Sequence, residues 1–480
     1  MIFSSFSFIL FFLALLSIYS QAKTTQQRAA ILLAGSILFY ASWEPIYLLL
    51  LGLSLFVNHR LYLGILRHRR RFILVAGIVF NLLVLGAFKY IGLFVETGLW
   101  LARLLGFEVA VSRPEWANWV LPLGISFFTF QMLSALIDAY RGDWRREVDF
   151  REWCLYVTFF PQLIAGPIVR SKELFDQIEN LQPLSSENLR VGAAIFAGGL
   201  LKKAVFADNL APLVDRLYSH PEQLDFAISW LATTAFGLQI YLDFSGYSEM
   251  ALGLGWMLGV QLPRNFKYPY ISRNFSEFWT RWHITLSQWL RDYLYIPLGG
   301  SRCSLPRTYT NLMITMLLGG LWHGAGWTFV FWGFLHGIYL VVYHRMAAAY
   351  GAIGMNSEEG VGRFVSWLGL PLTFVLTSFT WVFFRALSFT DAWTISGAML
   401  GLASPGDDIV AVRLFEIVLV GFTFLLVMAE PFLVGFLQKR GIEWWWTKIP
   451  FPVRGVVYAS FTLLIVVLGG YTQKFIYFDF

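Results

Sequence analysis

Residues 274–337 read NFSEFWTRWHITLSQWLRDYLYIPLGGSRCSLPRTYTNLMITMLLGGLWHGAGWTFVFWGFLHG and carry three of the chain's seven histidines, His283, His323 and His336. The part from 311 to 344 is too long for one crossing: as a helix it would run roughly 50 Å, against a hydrocarbon core of about 30 Å. It must break, and the break is written at Gly319-Gly320-Leu321-Trp322-His323-Gly324-Ala325-Gly326, four glycines around one histidine. Glycine lets a helix end and lets another group come close to the backbone. An imidazole, with an ordinary pKa of about 6.5, gives and takes a proton near neutrality, and an ionisable group at membrane depth invites a functional reading. His323 is therefore the candidate catalytic residue, flanked by Trp322 and Trp327 as candidate substrate contacts. His336, on the apolar helix that follows, reads as a packed bundle histidine.

Upstream, helical spacing puts Phe275, Phe278, Trp279, Trp282, Leu286, Trp289, Leu290, Tyr293 and Leu294 on one arc and Glu277, Arg281, Gln288, Arg291 and Asp292 on the other. This predicts one amphipathic helix lying at the interface or at a cavity rim, its tryptophans on the apolar side. Trp279 and Trp282 are candidate substrate contacts, and Asn274 with Glu277 forms a capping pair. His283 sits at the edge of the apolar arc. It reads either as a packed imidazole or as a second functional one.

The rest of the chain is the vessel for this stretch. Its 480 residues are 57% hydrophobic, 18% aromatic and 14% charged, with a mean hydropathy of +0.60, outside the range of water-soluble domains. An all-α polytopic membrane protein with about ten to twelve crossings is predicted, because open sheets cannot satisfy their backbone groups in hydrocarbon. The net charge of +6 does not point to nucleic acid, since the basic residues fall in short clusters between apolar runs. Cys154 and Cys303 are far apart and outside any ligand spacing, which leaves no disulfide framework or zinc site. Neither GxSxG, GxxxxGK[ST] nor HExxH occurs, so serine hydrolase, P-loop and zincin chemistry lack their signatures.

In chain order, residues 2–19 read as a retained first helix and are followed by Lys23 and Arg28. Spans at 29–41 and 46–63 lead back to the basic run Arg67-His68-Arg69-Arg70-Arg71. Both basic positions predict cytoplasmic loops and an extracytoplasmic N-terminus. A span at 72–90 leads to a mixed helical segment lying at the surface, with Glu96, Arg103, Glu108, Arg113 and Glu115, and a span at 120–139 returns to a loop with four arginines and four acidic residues at 140–153. Pro161 and Pro167 in FFPQLIAGPIVR (159–170) predict a broken or re-entrant segment. Helices at 189–214, interrupted by Lys202-Lys203, and at 226–242 precede DFSGYSEMALGLG (243–255), whose glycines predict close helix packing or a cavity wall. A polar loop at 356–363 and spans at 367–384, 415–434 and 456–470 complete the chain.

FFPQLIAGPIVR, YLDFSGYSEMALGLG (241–255), EFWTRWHITLSQWLRDYLYIPLGG (277–300), MLLGGLWHGAGWTFVFWGFLHG (316–337) and FIYFDF (475–480) together resemble the membrane-bound O-acyltransferase family. They are most similar to its bacterial branch acting in alginate, cellulose and peptidoglycan acetylation and teichoic acid D-alanylation. The likeness runs from about residue 121 onward. It implies a helical membrane fold around a central tunnel in one embedded domain: N-terminal helices to 118, a motif-bearing core at 119–345 and C-terminal helices at 346–480. It further implies a catalytic His323, a second site histidine in His283, and a place in the bacterial inner membrane. No tightly bound cofactor is implied, acetyl-CoA or another acyl thioester being the donor substrate. The implied partners are a periplasmic or cell-surface acyl-transfer protein, the polysaccharide synthesis and export machinery, and membrane lipid. Departures at Gly326 and Asp479 bear on the acceptor rather than on catalysis. The competing reading is a transporter of a lipid-linked sugar or acyl carrier with histidines as a proton relay; a scaffold would leave His323 unexplained.

Overall fold

A computed structural model describes residues 1–107, 120–352, 360–402, 409–439, 448–469 and 475–476. The described secondary structure is helical. The N-terminal helices are α1 (Phe6–Ser20), α2 (Thr25–Ala41), α3 (Tyr47–His68), α4 (Arg71–Leu85), α5 (Ile91–Leu104) and α6 (Ile125–Arg141). They are followed by α7 (Phe150–Thr158), α8 (Phe160–Leu163), α9 (Ser171–Glu179), α10 (Ser186–Leu201), α11 (Asp208–Tyr218) and α12 (Phe226–Met257). The motif region holds α13 (Phe275–Arg281), α14 (Ile284–Leu290), α15 (Leu305–His323) and α16 (Trp327–Ala352), before α17 (Gly360–Arg385), α18 (Phe389–Met399), α19 (Leu414–Lys439) and α20 (Phe451–Leu468). Helix α18 lies between two predicted spans and was not anticipated.

Among the described residues, four helical stretches are long and apolar enough to cross a membrane: Tyr47–His68, Arg71–Leu104, Trp367–Arg385 and Leu414–Phe436. Other predicted crossings fall on shorter or interior helices. Helix α12 is buried without interruption from Ala235 to Ser248, so protein rather than lipid surrounds it. The segment predicted after residue 90 is helical over its described part. Helix α4 continues through a wide turn at Gly86–Tyr90 into α5, which carries Glu96 and Arg103; Glu108, Arg113 and Glu115 lie outside the described residues. Residues 356–359 of the predicted polar loop and 477–480 of the terminal motif also lie outside them.

Two sets of contacts define opposite ends of the bundle. Arg67 pairs with Glu147 at 3.3 Å, Arg69 donates to the carbonyls of Tyr140 and Arg141, and Arg28 donates to that of Leu181. The loops after α1, α3 and α6 therefore share one face, as their arginines predict. The terminal amine of Met1 donates to Ser42 Oγ at 2.8 Å, and Tyr47 Oη donates to the Val120 carbonyl. This places the N-terminus, the α2–α3 turn and residue 120 at the other end.

The proline-bounded stretch after α7 is broken as predicted: α8 is one turn, and residues 159–169 are buried throughout. The glycines of 243–255 serve close packing. Gly246 faces Gly199 and Gly253 faces Gly192, so a Cβ at Gly199 would stand 2.4 Å from the Gly246 carbonyl oxygen, and one at Gly192 would stand 2.5 Å from that of Gly253. Because the obstruction is backbone, the helices themselves must separate. Gly199→Ala is expected to cost about 1–3 kcal/mol and to lower both the yield of monodisperse protein and its thermal midpoint. Gly198→Ala, whose Cβ would meet nothing within 4 Å, is the control and should match wild type; equal behaviour of the two variants would contradict this packing.

Candidate active site

Helix α15 ends where the four-glycine run predicts a break, and α16 begins at Trp327. Gly320 lies against Gly333 of α16: a Cβ at Gly320 would stand 2.3 Å from the Phe329 carbonyl oxygen, so the two helices need glycine to come this close. His323, the last residue of α15, is 2% exposed. Its ring is bounded by Trp322 and Trp332, each at 5.1 Å between centroids, and by Phe384 at 5.3 Å.

The predicted single helix over 274–294 is corrected. The chain breaks at His283, which takes a left-handed conformation (φ 40°, ψ 57°) between α13 and α14. A non-glycine residue holds such a conformation only where its surroundings over-determine it. Here Ile284 N donates to the Asn265 carbonyl at 2.9 Å. Thr285 Oγ1 donates to Asn265 Oδ1 at 2.6 Å and accepts from Ile168 N at 3.0 Å, while Asn265 Nδ2 reaches Ser248 Oγ at 3.3 Å. One buried polar cluster thus ties the 159–170, 241–255 and 277–300 motifs together around His283. The capping pair is present, with Glu277 N donating to Asn274 Oδ1 at 2.8 Å.

His283 is fully buried, and neither ring nitrogen has a hydrogen-bond partner among the described residues. Its ring lies 4.6 Å from Phe244, 5.7 Å from Trp322 and 6.3 Å from His323. The two candidate histidines, 40 positions apart in the chain, are therefore brought together with Trp322 against both.

The other tryptophans separate. Trp282 is 1% exposed and packs among Phe266, Phe278 and Trp381. This corrects the interfacial reading: the apolar arc of 274–294 faces the protein core. Trp279 lies beside His336 at 5.2 Å and Trp332 at 5.8 Å. Trp327 is 53% exposed and donates to Thr97 Oγ1 at 2.9 Å, away from the histidine pair. His336 is packed as predicted, its Nε2 3.0 Å from Thr380 Oγ1.

A cavity of about 60 Å³ reaches His323 and Trp322, lined also by Trp43, Lys89 and residues 121–127. Trp43 and Leu121 belong to the N-terminal end of the bundle, so the opening onto His323 comes from that end. His283 does not line it. On the opposite, loop-bearing end, Asp292 pairs with Arg170 and with Arg291 at 2.7 Å, and Arg141 donates to its carbonyl. Burial alone would raise the Asp292 carboxyl, but hydrogen bonds from Arg291 and Arg170 hold it below the ordinary carboxylate range. The surface beneath α14 therefore keeps a fixed set of charges.

Sequence reasoning missed Lys89 and Tyr90. Lys89 Nζ donates to the carbonyls of Trp322 at 2.6 Å and His323 at 3.2 Å, and Tyr90 Oη to that of Leu321 at 3.0 Å. A lone lysine in the apolar run 72–90 was the available signal, since a buried cation in a membrane helix needs a partner.

A buried imidazole at a helix break, a second one nearby and a small opening can support proton transfer on a group admitted from one end. The chain belongs to the membrane-bound O-acyltransferase family, whose model matches residues 5–384. It is 39% identical to the probable alginate O-acetylase AlgI of Pseudomonas aeruginosa over 412 residues, 84% of this chain and 76% of that protein. It is 38% identical to the peptidoglycan O-acetyltransferase of Helicobacter pylori over 402 residues, 77% and 73% of the two chains. A teichoic acid D-alanyltransferase of Streptococcus thermophilus is 32% identical over 234 residues, 46% of this chain and 56% of that one. The family match begins well before residue 121, so the N-terminal helices belong to the shared unit. The protein is a multi-pass membrane O-acyltransferase.

Proposed function

We propose that this acyltransferase moves acetyl from acetyl-CoA on the loop-bearing, cytoplasmic face to a hydroxyl of an extracytoplasmic polysaccharide. The observation that carries the reading is the pair of buried histidines 6.3 Å apart at two breaks in helix, with an opening onto His323 from the N-terminal end. His323 takes the proton of the attacking hydroxyl as the ester C–O bond forms, then delivers it to the thiolate released when the C–S bond breaks. General acid–base help of this kind is worth about 10²- to 10⁴-fold in rate. His283, whose ring nitrogens bond to no described residue, holds the thioester carbonyl from the cytoplasmic side.

The acceptor class follows the names of the relatives: alginate in one, peptidoglycan in another. A separate periplasmic or cell-surface acyl-transfer protein completes delivery to polymer, beside the polysaccharide synthesis and export machinery. The clustered arginines of the shared loop face support an inner-membrane orientation with that face in the cytoplasm and the N-terminus outside.

Sealed membrane vesicles of either orientation test sidedness and chemistry together. Acetyl-labelled CoA added to inverted vesicles should give label in O-acyl ester at the enclosed face, whereas right-side-out vesicles should give none. Label only from right-side-out vesicles would reverse the orientation, and none from either would contradict acetyl-CoA as donor.

A further inference from the structure

Helix α15 ends unusually. Gly324 leaves it in an extended conformation (φ −154°, ψ 151°) instead of the left-handed turn that commonly closes a helix by bonding its last carbonyls. The final carbonyls of a helix have no partner within it. Those of Leu321, Trp322 and His323 point to the turn that follows α4, where Tyr90 and Lys89 donate to them.

Those two residues sit in the wide turn Gly86–Tyr90. An extra residue in a helical turn rotates everything after it by about 100° relative to an uninterrupted helix. The turn is what presents Lys89 and Tyr90 side by side to one helix end. Lys89 also reaches Ser126 Oγ at 3.4 Å and lies 5.8 Å from the Trp322 ring centroid, and it lines the same cavity as His323. A cation here complements the negative end of the helix dipole. Its ammonium has three hydrogens, and the three oxygens named here account for them.

We propose that Lys89 is a positioning residue for the acyl transfer: by holding the Trp322 and His323 carbonyls it sets where the His323 ring stands at the cavity. This rests on the reading of His323 as general base. Lys89 does not itself exchange the proton; it acts through the backbone of the residue that does.

The test uses full-length protein in lipid nanodiscs with acetyl-CoA as donor and the polysaccharide of the producing cell with its acyl-transfer partner as acceptor, and compares Lys89→Met, Lys89→Arg, His323→Gln and wild type. Lys89→Met should lower kcat about tenfold to hundredfold, the scale of a catalytic group misplaced by about 1 Å, with KM for acetyl-CoA and the yield of monodisperse protein near wild type. Lys89→Arg keeps the charge and N–H donors and should recover at least about half of the lost activity on a logarithmic scale. Wild-type kcat in Lys89→Met would overturn the proposal. So would activity falling only in step with protein yield, or no recovery in Lys89→Arg, since either makes the lysine structural. Full turnover in His323→Gln would remove the general base and the inference with it, an outcome distinct from failure of the lysine variants alone.

Discussion

Cells making His323→Gln in place of the wild-type chain are expected to carry normal amounts of membrane-assembled protein and polymer without O-acyl esters. Glutamine keeps a polar side chain at the end of α15 and leaves the backbone carbonyl to which Lys89 donates unchanged. Loss of a packing or hydrogen-bonding histidine would cost about 1–3 kcal/mol of stability, which immunoblot and size-exclusion profiles would register as reduced yield. Loss of the proton-transfer group instead costs about 10²- to 10⁴-fold in rate with the fold intact. His323→Ala should behave alike. His283→Ala should also assemble and lose most ester, because its ring nitrogens bond to no described residue and so contribute little to holding the fold. His336→Ala should chiefly lower protein yield, since that ring is packed against Trp332 and bonded to Thr380. Full ester in His323→Gln would take the residue out of the mechanism.

The largest effect on assembly is expected from Lys203→Met. Lys203 Nζ pairs with Asp208 at 2.7 Å and Asp243 at 2.9 Å, and all three side chains are at most 4% exposed. Asp243 Oδ2 also accepts from Ile476 N at 2.8 Å, so the cluster ties the C-terminal motif to α12 and to the wide turn at Lys202–Ala207. Removing the cation leaves two buried carboxylates facing each other, and breaking such a cluster costs about 3–5 kcal/mol. Lys203→Met should therefore be recovered poorly or aggregated. Lys203→Met combined with Asp208→Asn and Asp243→Asn, which removes the charges together, should regain part of the yield. If Lys203→Met alone assembles like wild type, the cluster does not hold the fold.

What could be read in advance follows from where the determining forces lie. The break at His323 was legible because local composition dictates it: a helix too long for the membrane and four glycines in one place. The shared face of the 67–71 and 140–153 loops was legible from their arginines. The break at His283 was not, because residues 274–294 keep helical spacing across it and the left-handed turn is imposed by Asn265, Thr285 and Ile168 from elsewhere in the chain. The same hidden break explains why the tryptophans were misplaced. A continuous helix presents Trp279, Trp282 and Trp289 to one surface, but with the chain broken at His283 Trp282 lies in the cluster around Trp381 while Trp289 stacks on Phe130 at 3.7 Å. The hold of Lys89 on α15 depends on a wide turn that periodicity does not show.

The reaction at His323 is tested most directly with purified full-length protein in lipid nanodiscs, acetyl-labelled CoA and the polysaccharide of the producing cell together with its acyl-transfer partner. The quantity to measure is the initial rate of label entering alkali-labile ester, for wild type and His323→Gln at matched amounts of folded protein. The account predicts steady ester formation by wild type and a rate at least about 10²-fold lower for the variant; equal rates would contradict it.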